Sequence, residues 1–284
     1  MSAPTVRRRR LGAKLRALRL ERKLTLEETA DRCKDFTPSK LSRIETARTA
    51  AKAEDIEALL DVYGVDGELR AALLTLTRDG GKRGWWQSYR GVLTPLYEDL
   101  ISLESEASAV STYQHGVIPG LLQTAAYAKE TLRATAMTDA LAERVHALVE
   151  VRLARQAVLT SRDEPLHLWA IIHEAVLRME CSNPAIMREQ RQKLLSVAEL
   201  PNVSIQVMPS NVAPHPGAGG AFTILGFPEH TDLDVVYLEH LTNALYVEDL
   251  AEVKVYGQAF EWLRAAALSF EDSLAFIAGL DAKT

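Results

Sequence analysis

The chain has 284 residues, 47% hydrophobic and 25% charged, with only two cysteines. That composition fits an ordinary globular protein of about two domains and excludes a disulfide scaffold. No run approaches the ~20 apolar residues of a membrane span, and the basic start MSAPTVRRRRLG has no apolar stretch behind it to make a secretory signal. The net charge of −5 hides a division: residues 1–52 hold 15 Lys+Arg against 6 Asp+Glu, a balance of +9, and the remainder holds 18 against 32, a balance of −14. A basic head on an acidic body points to a polyanionic partner for the head alone. Cys33 and Cys181 have no metal-type spacing and read as free thiols in a reducing, cytoplasmic setting.

In chain order, RRRLGAKLRALRLERKL carries Leu11, Leu15 and Leu18 at helical spacing, predicting a first helix over 8–23. Thr25 followed by Glu28 is a capping box, which opens a second helix from Leu26 to Cys33. Thr37 and Pro38 repeat the start signal for a short third helix ending near Thr46. KAEDIEALLDVYGV and DGELRAALLTLTRDG predict two further amphipathic helices. The glycine-rich RDGGKRG then marks a boundary, giving domains over 1–83 and 84–284.

In the second region Trp85, Trp86 and Tyr89 read as packing anchors. GVIPGLLQTAAYAKETLRA places a Pro119-Gly120 turn before a helix anchored by Leu121, Leu122 and Tyr127, and TDALAERVHALVEVRLARQAVLTS is a long helix. From Pro165 the pattern turns to short β-rich runs: LHLWAII, VSIQVMP, AFTILGF and DVVYLE, with helices over 174–200 and at the end of the chain. The expected fold class is mainly α. A five-helix domain is followed by an α+β domain with a helical first half and a small, mainly antiparallel sheet with helices on one side.

The third helix sets Leu41, Ile44 and Thr37 on one side and Ser39, Ser42, Arg43 and Thr46 on the other, with Lys40 on a flank. One face packs; the other offers small hydroxyls that permit close approach and an arginine fork that matches guanine O6 and N7. Two helices joined by a short turn, the second with such a face, form a helix-turn-helix. LRALRLERKLTLEETADRC, TPSKLSRIETA and DIEALLDVYGV together resemble the lambda-repressor-like (Xre/Cro-type) DNA-binding domain over residues 10–75. The resemblance implies that Ser39, Lys40, Ser42 and Arg43 face the groove beside Pro38, and that Thr25, Leu26 and Thr46 approach phosphates. It also implies a structural pair between Arg19 and Glu45. Two glycines usual in that pattern are replaced, one by the turn Lys34-Asp35-Phe36, where Asp35 tolerates the left-handed conformation, and one by Ala47. Arg7, Arg8, Arg9 and Arg10 admit two readings: a basic arm in the minor groove, or the first turn of helix one lying near phosphates.

No catalytic or metal motif emerges. HEAVLRME lacks the second histidine of a zinc-protease helix, which would stand at Leu177, and GAGGAF precedes a β-rich run instead of opening a helix. VIPGLLQTAAYAKETL with NVSIQVMPSN, GGAFTILGF and DVVYLE resembles the antitoxin-like C-terminal domain of a large actinobacterial regulator family, over roughly residues 85–270. That resemblance implies a regulator paired with a small protein encoded by a neighbouring gene, as in a toxin–antitoxin or developmental switch of filamentous, spore-forming bacteria. The expected protein is a cytoplasmic, nucleoid-associated, dimeric transcriptional regulator that binds double-stranded DNA, with no membrane association, cofactor or catalytic activity. Two alternatives stay open for the second domain: a small-molecule sensor, with a pocket between sheet and helices, and an enzyme, with clustered titratable groups in a cleft.

Overall fold

The computed structural model describes residues 6–77, 84–89, 91–160, 163–227 and 233–281. It divides into two compact units. The first takes in residues 1–83 with two short returns of the chain, 227–234 and 248–252, and the second holds the rest. Residues 78–83, which make up most of RDGGKRG, and 228–232 lie outside the described residues.

Five helices build the first unit: α1 (Val6–Glu21), α2 (Leu26–Arg32), α3 (Pro38–Glu45), α4 (Ala53–Tyr63) and α5 (Gly67–Thr77). Local chemistry sets the boundaries. Thr25 and Glu28 exchange both bonds of a capping box, and Thr37 caps α3 by accepting from the Lys40 amide at 3.1 Å. Leu11, Leu15 and Leu18 meet Leu41 and Ile44 of α3 and Ile56, Leu59, Leu60 and Tyr63 of α4 in one core. Gly12 lets α1 cross α3 closely, since a Cβ there would stand 2.5 Å from the Glu45 carbonyl oxygen. A glycine within a helix costs about 1 kcal/mol in propensity, and this close contact offsets it.

Both replaced glycines adopt the left-handed conformation without glycine: Asp35 has φ 64° and Ala47 φ 57°. Asp35 is exposed, so the strain of its conformation is separable from packing. Asp35→Gly is expected to stabilise the unit by about 0.5–1 kcal/mol, raising its Tm by a few degrees in thermal unfolding, while Asp35→Val is expected to lower it. A drop in Tm for the glycine variant would mean that the aspartate side chain holds the turn.

The second unit is a six-stranded mixed sheet with helices. Its strands are β1 (Ala109–Gln114), β2 (His167–His173), β3 (Val203–Met208), β4 (Phe222–Gly226), β5 (Val235–Glu239) and β6 (Ala244–Val247), in the order β3-β2-β1-β4-β5-β6. β1 and β3 pair parallel to β2, whereas β4 pairs antiparallel to β1, β5 to β4 and β6 to β5. The helices are α6 (Pro95–Glu106), α7 (Ala125–Thr135), α8 (Asp139–Arg155), the short α9 (Glu174–Leu177), α10 (Pro184–Val197), α11 (Leu250–Ala266) and α12 (Phe270–Asp281).

Helices cover both faces of the sheet, which corrects the one-sided arrangement expected from sequence. Tyr113, Ile171, Phe222, Val236 and Val247 share one face with Val253, Phe260 and Leu263 of α11. The opposite face, with Val110, Thr112, Leu168 and Tyr237, meets Leu100 and Glu104 of α6 and Arg152 and Arg155 of α8. One face takes α6 and α8, the latter from the β1–β2 crossover, and the other takes α11, which follows β6. The outer edge of β3 is closed as well: the Leu268 amide donates to the Val207 carbonyl at 2.9 Å and the Val207 amide donates to Ser273 Oγ at 2.9 Å. Leu121, Leu122 and Tyr127 are buried, and Gly120–Leu122 forms a single 3-10 turn. Trp86 and Tyr89 pack against Leu93, Ile101 and Val151, while Trp85 stays part-exposed, edge-on to Trp86.

Candidate nucleic-acid interface

The first unit offers α3 as a two-sided helix. Leu41 and Ile44 are buried; Ser39, Arg43 and Thr46 are exposed, and Ser42 and Pro38 are half-buried. The Thr46 hydroxyl donates to the Ser42 carbonyl at 2.7 Å, which ties it to the helix end. Lys40 is less available: its Nζ donates to Asp55 at 2.6 Å and lies 4.3 Å from the centre of the Phe36 ring. At the start of α2, Thr25 is exposed and Leu26 is half-buried against the core.

Arg19 and Glu45 lock α1 onto the end of α3. Arg19 Nε and Nη2 donate to the two Glu45 oxygens at 2.7 and 2.9 Å, and Nη1 donates to the Leu24 carbonyl at 2.8 Å. Both side chains are almost wholly buried. The hydrogen bonds to Glu45 hold the Arg19 guanidinium above its ordinary pKa, against the opposing effect of burial. This pair ties α1 to the end of α3 and faces the core, away from the exposed Ser39, Arg43 and Thr46.

Arg7, Arg8, Arg9 and Arg10 lie in the first turns of α1, in helical rather than extended backbone. Within the same unit, Arg9 Nε donates to Glu248 at 3.1 Å. Arg10 is buried, with its Nη2 donating to the Leu233 carbonyl at 2.5 Å and its guanidinium 3.8 Å from the centre of the Phe227 ring. Contact between Arg10 and a phosphate would require that return of the chain to move away.

The second unit gathers polar groups that sequence reading left scattered. Between sheet and helices lies a cavity of about 80 Å³, its wall including Tyr97, Glu104, Gln114, Arg152, Arg155 and Tyr237. Arg155 Nε and Nη2 donate to Glu104 at 2.8 and 2.5 Å, and its Nη1 donates to the Tyr97 hydroxyl at 2.5 Å. Burial opposes charge on Arg155, but the Glu104 carboxylate and Tyr97 hold it more firmly protonated than a free arginine. A second cluster brings His115 and His215 to within about 6 Å of the Tyr113 ring. His173 is held below the usual histidine range by burial and by those two imidazoles. Nδ1 of His173 and of His215 each accepts a backbone N–H, so the neutral rings carry their proton on Nε2. Among the described residues no group of three or more His, Cys, Asp or Glu side chains is arranged to hold a metal ion. Glu174, from the HEAVLRME stretch, is engaged by Arg178 and by the Ser210 amide.

A family model described as a helix-turn-helix domain matches residues 10–73, and one described as a domain of unknown function, DUF5753, matches residues 97–279. The chain belongs to the DUF5753 family. No curated protein and no solved structure matches it. The DUF5753 match spans nearly all of the mixed-sheet unit, and the helix-turn-helix match ends within α5. This DUF5753 protein therefore joins a helix-turn-helix domain, the type carried by DNA-binding regulators, to a domain with no assigned role. Among the described residues no helix is long and apolar enough to cross a membrane.

Proposed function

We propose that this chain is a sequence-specific transcriptional regulator of the Xre type that sets α3 into the major groove of double-stranded DNA. The observation that carries the reading is the exposed Arg43, held between hydroxyl-bearing neighbours on the face of α3 opposite Leu41 and Ile44. A helix so docked presents its guanidinium fork to a base edge, and guanine is the base whose two acceptors match it. In this reading the protein works in the cytoplasm, at the nucleoid, as a homodimer, because two linked half-sites multiply the modest affinity of one helix. It has no catalytic activity.

Arg43→Ala is expected to cost about 1–3 kcal/mol on the specific site and to relax preference at one base pair. Arg7→Ala or Arg8→Ala is expected to weaken specific and random duplexes alike, lowering the salt slope by about one unit. Titration of labelled specific and random duplexes at several salt concentrations checks both. Equal losses for Arg43→Ala on the two duplexes would reduce Arg43 to a phosphate contact.

For the second unit the antitoxin-like resemblance supports regulation by a small protein encoded nearby. The cavity beside Arg152 and Arg155 favours the other reading, a sensor of a small molecule, since a ligand site between sheet and helices is what sensing requires.

A further inference from the structure

The outward side of α11 is unlike that of a solvated surface helix, which sets charged residues opposite its packed stripe. Phe260 and Leu263 are buried against the sheet. On the opposite side Val255, Gln258, Trp262 and Ala265 recur at spacings of three and four, and all four are exposed. None of them is charged. Trp262 is 71% exposed and Val255 62%. Two large apolar side chains one heptad apart on an open helix face form a seam of the kind that packs against another helix.

The seam matches itself when turned about a two-fold axis at Gln258. Set antiparallel to a copy of itself, α11 brings the broad Trp262 ring opposite the smaller Val255 of the other copy. Lys254 and Glu261 lie along one border of the seam, on either side of Gln258, so the same arrangement sets Lys254 beside Glu261 twice. Lys254 is exposed and makes no ion pair among the described residues; Glu261 is exposed and bonded by Arg264 of its own helix. Gln258 falls on the axis, and an amide that both donates and accepts can bond to its own copy there. A polar residue within an apolar seam also fixes its register. Parallel pairing would instead set Lys254 and Glu261 against Ala259 and Ala266, with no opposite charge to meet.

We infer that α11 pairs antiparallel with α11 of a second copy of this chain, through Val255, Gln258 and Trp262, with Lys254 and Glu261 meeting across the two-fold axis. Symmetry favours a second copy over another protein, because an isologous contact requires one half of a surface to complement its other half. The stretch from Val255 to Ala265 rises about 15 Å. A contact this short buries less than the ~800 Å² per partner of a standard interface. The pairing is therefore weak and reversible, with a Kd on the order of 10 µM.

The inference rests on the homodimer reading of the chain, and its test separates the two. Sedimentation equilibrium of the full chain without DNA, between about 1 and 100 µM, is expected to show reversible passage from monomer to dimer. Trp262→Ser is expected to weaken the dimer by at least ~10-fold. Lys254→Glu, which sets like charges together twice, is expected to weaken it by about 3–10-fold, and Lys254→Glu combined with Glu261→Lys to recover most of that loss. Gln258→Cys is expected to cross-link to its own copy on mild oxidation with diamide, because its two thiols meet at the axis. Val255→Cys, whose counterpart lies at the far end of the seam, is not. All these positions are exposed, so an unchanged circular dichroism spectrum separates lost pairing from lost folding. A wild-type chain that stays monomeric throughout overturns the pairing together with the homodimer reading, and gives the seam to a protein of another sequence. A dimer that keeps its affinity in Trp262→Ser, or that cross-links through Val255→Cys and not through Gln258→Cys, overturns this surface and leaves the homodimer reading standing.

Discussion

Arg19→Ala and Glu45→Ala are each expected to destabilise the helix-turn-helix unit by about 3–5 kcal/mol, the cost of leaving one member of a buried ion pair without its partner. Losing Arg19 strands the Glu45 carboxylate and also frees the Leu24 carbonyl that Nη1 satisfies. Losing Glu45 leaves a guanidinium held by that one carbonyl. Because a domain is stable by only about 5–15 kcal/mol, either change removes a large share of the margin. The double alanine variant is expected to lose clearly less than the sum, since no charge is then stranded. Urea unfolding of the four proteins measures the coupling. Additive losses would mean that the two side chains act independently and that α1 does not position α3 through them.

A loss of similar size is expected in the mixed-sheet unit. Glu104→Ala leaves Arg155 buried with only the Tyr97 hydroxyl, and Arg155→Ala removes the guanidinium that holds the buried Glu104 carboxylate through two bonds; each is expected to cost about 3–5 kcal/mol. Glu104→Gln, which keeps an acceptor for one of the two bonds, is expected to lose less. Replacing both residues by leucine is expected to recover most of the loss, because a well-packed apolar pair avoids desolvating either charge. Unfolding followed by circular dichroism separates these outcomes. Full retention of stability in Glu104→Ala would show that Arg155 finds another anion or reaches water.

The first unit was legible from local signals. The Thr25–Glu28 capping box and the Thr37-Pro38 start fix α2 and α3 through contacts only a few residues apart, and the leucines of α1 follow one helical stripe. The left-handed angle at Asp35 was also readable, because a short polar residue stands where the chain must turn. The second unit was less legible. β1 escaped because Ala109 and Ser111 are poor strand formers and the strand has helices on both sides, so the alternation that marks a half-exposed strand is absent. β6 is only four residues long. The helices on the two faces come from separate parts of the chain, α8 from the β1–β2 crossover and α11 from beyond β6, an arrangement that the strand segments alone do not reveal. The cavity draws on α6, β1, α8 and β5, and the His115, His173 and His215 group on three separated segments. Neither leaves a spacing to find. Arg10 escaped for a related reason, since its partners Phe227 and Leu233 lie more than two hundred positions away.

Selection from random duplexes with the full chain tests the central reading most directly. The protein is incubated with a randomised pool at moderate salt, bound duplexes are recovered over several rounds, and the enriched sequences are compared between wild type and Arg43→Ala. The predicted result is a paired, guanine-containing half-site for the wild type, with the preference at one guanine position lost in Arg43→Ala and the rest of the motif retained. Recovery of no motif by the wild type, or of the same motif with unchanged preference at every position by Arg43→Ala, would contradict base reading by the exposed face of α3.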